Sequence, residues 1–180
     1  MSEENLNYWI VGSIWDNIDQ TEDFIKKGVW INGYDDKYLD LVKTIKVGDK
    51  IAIKASYVKS KNLPFKNQNK SISVMKIKAI GEVQNNKNDG KTISVNWDTS
   101  FKPKEIYNFS YRNTISIIDK EKWNNPINWI FGGKDQDDFF SFNNIEDDGE
   151  DNMPNYTQKK QPLNQILYGP PGTGKTYNTI

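Results

Sequence analysis

The sequence predicts an α+β fold. It consists of a small curled β-sheet or barrel with flanking helices, then a linker and the opening of a second, phosphate-binding α/β unit. Three observations predict this. Residues 50–55 and 72–83 alternate apolar and polar side chains at period two, the mark of strands with one buried face. Short helical patterns with terminal charge bias and a closing glycine precede them. A complete G-x-x-x-x-G-K-[ST] pattern occupies residues 169–176, directly after an apolar strand.

Taken in order, Asn7 to Ser13 is rich in strand formers and reads as a first strand. Asp19 to Gly28 reads as a helix, with acids early, lysines late and Gly28 placed to end it. Val29 to Gly33 follows, with a turn at Asn32-Gly33. Asp36 to Thr44 reads as a second helix capped by Asp35 or Asp36, with Tyr38, Leu41 and Val42 on one face. Val47 to Lys50 is a turn into the first alternating strand. Residues 58–70 hold five Lys, three Asn and a Pro and read as a loop. The second alternating strand, a hairpin turn over Asn85–Gly90, a strand over Lys91–Asp98 and one or two more between Tyr107 and Ile118 complete a mostly antiparallel set. Residues 1–134 then form one domain, 135–161 an acidic linker without sustained periodicity, and 162–180 the start of the next domain.

Composition narrows the chemistry. The 180 residues include no Cys and no His, which removes disulfides, thiolate metal sites and imidazole catalysis from this stretch. No catalytic residue is assigned. There is no secretory pattern at the N-terminus and no window near the ~20 apolar residues of a membrane span, so a cytoplasmic protein without membrane association is expected. The net charge of zero hides segregation. Residues 1–42 carry net −6, residues 43–120 net +10 and residues 135–151 net −8. A basic middle block fits a polyanion-binding surface and fits equally a solvated lysine-rich sheet.

The 169–176 motif has a defined physical use. Gly169, Pro170, Pro171, Gly172, Thr173 and Gly174 form a loop whose backbone N–H groups turn toward phosphate oxygens. Lys175 is placed to reach the β- and γ-phosphates, and Thr176 to hold magnesium. The cofactor expected is GTP or ATP with Mg, in a longer protein. These 180 residues stop four positions after Thr176 and are expected not to hydrolyse nucleotide.

Ile166 to Thr179, with its Tyr-Gly-Pro-Pro-Gly-Thr-Gly-Lys-Thr core and Tyr-Asn-Thr continuation, resembles the Walker A region of McrB-type AAA+ NTPases of McrBC restriction systems. The resemblance implies a hexameric GTPase ring, an McrC-like nuclease partner and an N-terminal domain that selects modified double-stranded DNA. The piece without the ring is expected to be a monomer. Tyr8 to Ser13, Lys27 to Trp30, Ile45 to Ile51 and Val95 to Trp97 resemble, in order, segments of EVE, YTH and PUA domains. That resemblance implies a PUA/EVE-like barrel holding a flipped, methylated base in an aromatic cage. It needs no cofactor of its own.

Trp30 and Trp97 are the implied cage walls, weighed against plain core packing. Trp15, on a loop after the first strand, is a third candidate, Ser13 a candidate for the base edge and Tyr57 a candidate for stacking. Trp9, Trp123 and Trp129 are assigned to packing. Lys59, Lys61, Lys66 and Lys70 on the basic loop, and Arg112, the only Arg in the chain, are candidate phosphate contacts. Two rivals stand beside this reading. One is a reader of RNA or of a nucleotide ligand; the other is a protein-interaction module that recruits a nuclease.

Overall fold

Nine strands and three short helices make up the described part of the computed structural model, which covers residues 6–68 and 70–136. Strand β1 (Tyr8–Val11) is followed by a hairpin of β2 (Ile14–Trp15) and β3 (Ile18–Asp19), helix α1 (Thr21–Lys27), β4 (Val29–Ile31) and helix α2 (Leu39–Lys43). Then come β5 (Lys50–Lys59), β6 (Ile72–Asn86), β7 (Thr92–Trp97), β8 (Lys104–Tyr107), β9 (Ile115–Ile117) and α3 (Asn124–Ile130).

The main sheet runs β4-β7-β6-β5-β1-β9, with β8 paired to the first half of β6. All its ladders are antiparallel except β1 with β5, where Trp9 lies beside Ile51 and Val11 beside Ile53. The sheet is open. It ends at β4 on one side and β9 on the other, and no ladder joins those edges. This corrects the curled PUA/EVE-like barrel expected from the sequence. The side chains give the physical reason. Successive residues of one strand point to opposite faces, and here both faces are covered. Trp9, Val11, Ile51 and Ile53 join one buried cluster with Phe24, Trp30 and Trp97. Ile10 and Ala52 join a second with Met75, Ile77, Ile106 and Ile127. A closed barrel has one interior; this mixed α+β sheet has a core on each side.

Local chemistry explains the elements. Helix α1 carries Glu22 and Asp23 in its first turn and Lys26 and Lys27 in its last, as the helix dipole favours. Gly28 ends it in the left-handed region, at φ 64°, with its N–H donated to the Ile25 carbonyl. Helix α2 is shorter than expected. Tyr38 sits at φ 64° just before it and neither Asp35 nor Asp36 caps it, so only Leu39–Lys43 is helical. Asp35 instead pairs with Lys91 at 2.6 Å. Buried Asp49, in the turn before β5, accepts from the Asn7 and Lys46 backbone N–H groups and from the Trp9 indole, tying β1 to that turn. The bulge between Ile53 and Lys54 inserts Lys78 into the β5–β6 ladder.

Candidate functional site

Three segments from different parts of the fold converge beyond the end of β1. Gly12 donates its N–H to the Thr114 carbonyl at 2.7 Å, which holds the end of β1 against the approach to β9. The Gly12 carbonyl in turn accepts the Trp30 indole N–H at 2.9 Å, which fixes the Trp30 ring. After β4, the Asn32 side chain accepts the Tyr34 N–H and donates to the Lys37 carbonyl. This side-chain-to-backbone turn shapes the loop that carries Gly33 and Tyr34.

The hairpin β2–β3 supplies the remaining wall. Asp16 and Asn17 at its tip have φ of 48° and 66°, the two positive values that a tight two-residue hairpin needs. Trp15 leans edge-on against Phe24, with ring centres 5.4 Å apart, and lies over Gly33. A Cβ on Gly33 would stand 2.4 Å from the Trp15 indole nitrogen. Glycine at 33 is therefore what lets the indole settle there.

Together these residues enclose a cavity of about 410 Å³, lined by Gly12, Trp15, Asp16, Trp30, Tyr34 and Thr114 among others. That volume falls within the usual range for small-ligand sites. Trp30 is 1% exposed and forms its floor, Trp15 is half-buried, and Tyr34 is 38% exposed with its hydroxyl 3.2 Å from that of Thr114. Asp16 is the one formally charged side chain on the lining. The cavity thus offers aromatic surface, backbone carbonyls and a single carboxylate.

Ser13 does not line this cavity. It is fully buried behind it, and its hydroxyl is engaged by Asp19 (2.9 Å), Thr21 (2.8 Å) and Lys78 (3.1 Å). Burial alone would raise the Asp19 carboxyl. The Lys78 ammonium at 2.7 Å and hydrogen bonds from Thr21 and Ser13 outweigh it and hold Asp19 well below the usual carboxylate range.

Trp97 is not brought to the cavity either. It is 7% exposed and its indole N–H is shared between the Phe24 and Val29 carbonyls. It belongs to the same buried cluster as Trp30 but opens onto a different cavity of about 490 Å³, beside Tyr8, Ile80 and Phe131.

Tyr57 lies in the outer half of β5 with its hydroxyl bonded to Glu105 at 2.5 Å. Lys59 pairs with the same carboxylate at 2.7 Å, and Tyr107 also donates to it. These three donors bring Glu105 down to about 2 against the opposing effect of burial, while burial and then Glu105 push the Tyr57 hydroxyl up to about 12. Lys59 is thus committed within the fold, whereas Lys61, Lys66, Lys70 and Arg112 are exposed. Trp9 is fully buried, and Trp123 and Trp129 pack against the second cluster, as packing residues should. Gln136, at the start of the expected linker, pairs its amide with both the N–H and the carbonyl of Tyr107. The phosphate-loop residues Gly169 to Thr176 lie outside the described residues.

Sequence reasoning missed Asp16, Gly33, Tyr34 and Thr114. The Asn32-Gly33 turn directly after Trp30 was the available signal for two of them. Thr114 had none, because its place depends on pairing across the whole domain. Among the described residues, no group of three or more His, Cys, Asp or Glu side chains could hold a metal ion, and no helix is long and apolar enough to cross a membrane. No protein-family model matches the chain, and no curated protein matches it in sequence.

Proposed function

We propose that this domain reads a single modified nucleobase, extruded from DNA into the cavity of Trp15, Trp30 and Tyr34, for an McrB-type AAA+ NTPase. The observation that carries the reading is that cavity: three aromatic side chains and one carboxylate around a space of ligand size. A modification on the pairing edge of a base is hidden while the base is paired. Extrusion costs a few kcal/mol, and stacking on aromatic side chains returns about 1–3 kcal/mol per base. Burying an added methyl contributes only about 0.8 kcal/mol, so discrimination needs polar help. Asp16 supplies it: a carboxylate accepts from an exocyclic amino group, which favours cytosine or adenine over thymine. The hairpin beside the cavity also keeps Ile14 (56% exposed) and Ile18 (63% exposed) in water. Side chains of this kind wedge between base steps in proteins that open the stack.

In the same proposal, Gly169 to Thr176 hold the phosphates of GTP or ATP, with Lys175 on the β- and γ-phosphates and Thr176 on magnesium. The motor forms a hexameric ring in the cytoplasm and acts with an McrC-like nuclease, while the domain described here supplies target choice.

The test is binding of the 180-residue chain to matched duplexes, unmodified or carrying 5-methylcytosine, 5-hydroxymethylcytosine or N6-methyladenine, at two salt concentrations. Single-stranded RNA and the Trp15→Ala variant run alongside. The expected result is tighter binding to one modified duplex, lost in Trp15→Ala with its melting temperature preserved. Equal affinity for every duplex, unchanged in the variant, refutes the reading. Preference for the RNA moves the same cavity to an RNA ligand.

A further inference from the structure

Lys54 is a charge without a counter-charge. It lies in β5 and is 7% exposed, yet it makes no hydrogen bond or ion pair among the described residues. Every other lysine with comparable burial in this sheet is provided for. Lys78 has Asp19 and Ser13, and Lys59 has Glu105. Holding an ammonium away from water with no partner is costly, and folded proteins avoid it unless the group serves something else. Burial and then the neighbouring Lys78 charge push the Lys54 ammonium below the usual lysine value.

Its position says what it serves. The β1–β5 ladder ends at Val11 beside Ile53, so Lys54 and Gly12 are the next residues of the two paired strands. Gly12 lines the aromatic cavity, and Ser13, one residue on, is bonded to Lys78. The bulge in β6 places Lys78 at the same level of the sheet as Lys54. Two ammonium groups and a serine hydroxyl thus stand behind one end of the cavity, with only the Asp19 carboxylate to balance them.

We propose that Lys54 and Lys78 form a phosphate-binding site that holds a phosphate ester attached to the nucleoside in the aromatic cavity. The inference rests on the base-binding reading and adds to it. Affinity then comes from the backbone of the extruded nucleotide as well as from its base, and the site is fixed in the sheet rather than carried by the basic loop. Phosphate supplies the missing counter-charge, and a lysine meets it as a point charge without the geometric demands of a carboxylate fork.

The experiment uses the 180-residue chain carrying Lys175→Ala, so that the phosphate loop contributes nothing, with 13C-labelled lysine. On titration with inorganic phosphate, the Lys54 and Lys78 Cε signals are expected to saturate together at a concentration at least about tenfold lower than those of exposed Lys27 and Lys43. In Lys54→Met the saturable shift of Lys78 disappears. A Lys54 signal that moves no more than the surface lysines overturns the proposal. A second arm compares methylated deoxycytidine and deoxyadenosine with their 5′- and 3′-monophosphates. One monophosphate of the preferred nucleoside is expected to bind about tenfold tighter or more, and the ratio to collapse toward one in Lys54→Met. Equal affinity for nucleoside and both monophosphates refutes the phosphate site and leaves the base reading standing. If no nucleoside or nucleotide binds, the base reading falls and the phosphate titration alone decides. A structural role predicts a lower melting temperature for Lys54→Met. Release of an unpaired buried charge predicts a rise of about 2–4 °C, and a fall overturns the proposal.

Discussion

Two cavities flank the same tryptophan-rich core, and they differ in how their polar groups are used. Around Trp97, the indole N–H is taken by two carbonyls, Lys50 is paired with Glu82 at 2.7 Å, and Asp98 is bonded to Ser100. Around Trp15 and Trp30, Asp16 lines the space without a hydrogen bond among the described residues, and Lys54 stands behind it without a partner. The contrast teaches that a tryptophan does not mark a site by being aromatic. A site shows itself where aromatic surface meets polar groups that the fold has left unspent.

The largest effects probe what the two regions share. Trp30→Ala and Trp97→Ala each remove a nearly fully buried indole from one cluster, and each is expected to lower unfolding stability by about 3–5 kcal/mol, read from urea midpoints. If either cost less than about 1 kcal/mol, that tryptophan would not be a core residue. Binding separates the regions. Trp15→Ala is expected to weaken affinity for the preferred modified duplex by about 1–3 kcal/mol, whereas Trp97→Phe leaves it unchanged. Equal losses in both would erase the distinction between the cavities. Gly33→Ala should resemble Trp15→Ala, because the added methyl displaces the indole.

A smaller effect tests the closed ion-pair cluster on outer β5 against the open one at Lys54. Glu105 is depressed from the ordinary value of 4.5 to about 2 by Lys59, Tyr107 and Tyr57, against the opposing effect of burial. The stability it contributes is complete above about pH 4.5 and is lost as pH falls through about 2. After solvent screening this is about 1–2 kcal/mol. Urea midpoints of Glu105→Gln should lack that acid limb; an unchanged limb would mean the cluster contributes nothing. The smallest effects concern single exposed lysines. Lys61→Ala and Lys70→Ala should each lower the slope of log affinity against log salt by up to about 0.9, and Lys59→Ala by less, because Glu105 already holds it. A larger change for Lys59 would show that its pair opens on binding.

Much of the strand pattern was legible in the sequence because alternation is a local property. Strands β5, β6 and β7, helix α1 and the Gly28 stop stand close to where periodicity and terminal residues put them. Closure was not legible. Alternation shows that a strand has two different faces, yet Ile10 and Ala52 face a second core rather than solvent, which local pattern cannot distinguish from a barrel wall. The parallel β1–β5 ladder escaped for the same reason: it joins residues about forty apart with no turn between them to announce it. At the site, Trp30 and Trp15 could be named by residue type and context. Their partition from Trp97 could not, because Trp30 and Trp97 sit in strands two residues out of register, Trp30 facing Ile93 and Trp97 facing Gly81. Helix α3 was missed, since Asn124, Asn125 and Pro126 give little helical signal before Ile127.

The hydrogen bond from Gly12 to Thr114 has a consequence for how the domain is made. It joins the end of the first strand to the threshold of the last, about a hundred residues later. Closing so long a loop is entropically slow, and contacts of this range form late. The recognition cavity therefore exists only after nearly the whole domain has assembled. A nascent or partly unfolded chain has no half-built version of it with which to engage DNA, so competence to bind and completion of folding arrive together.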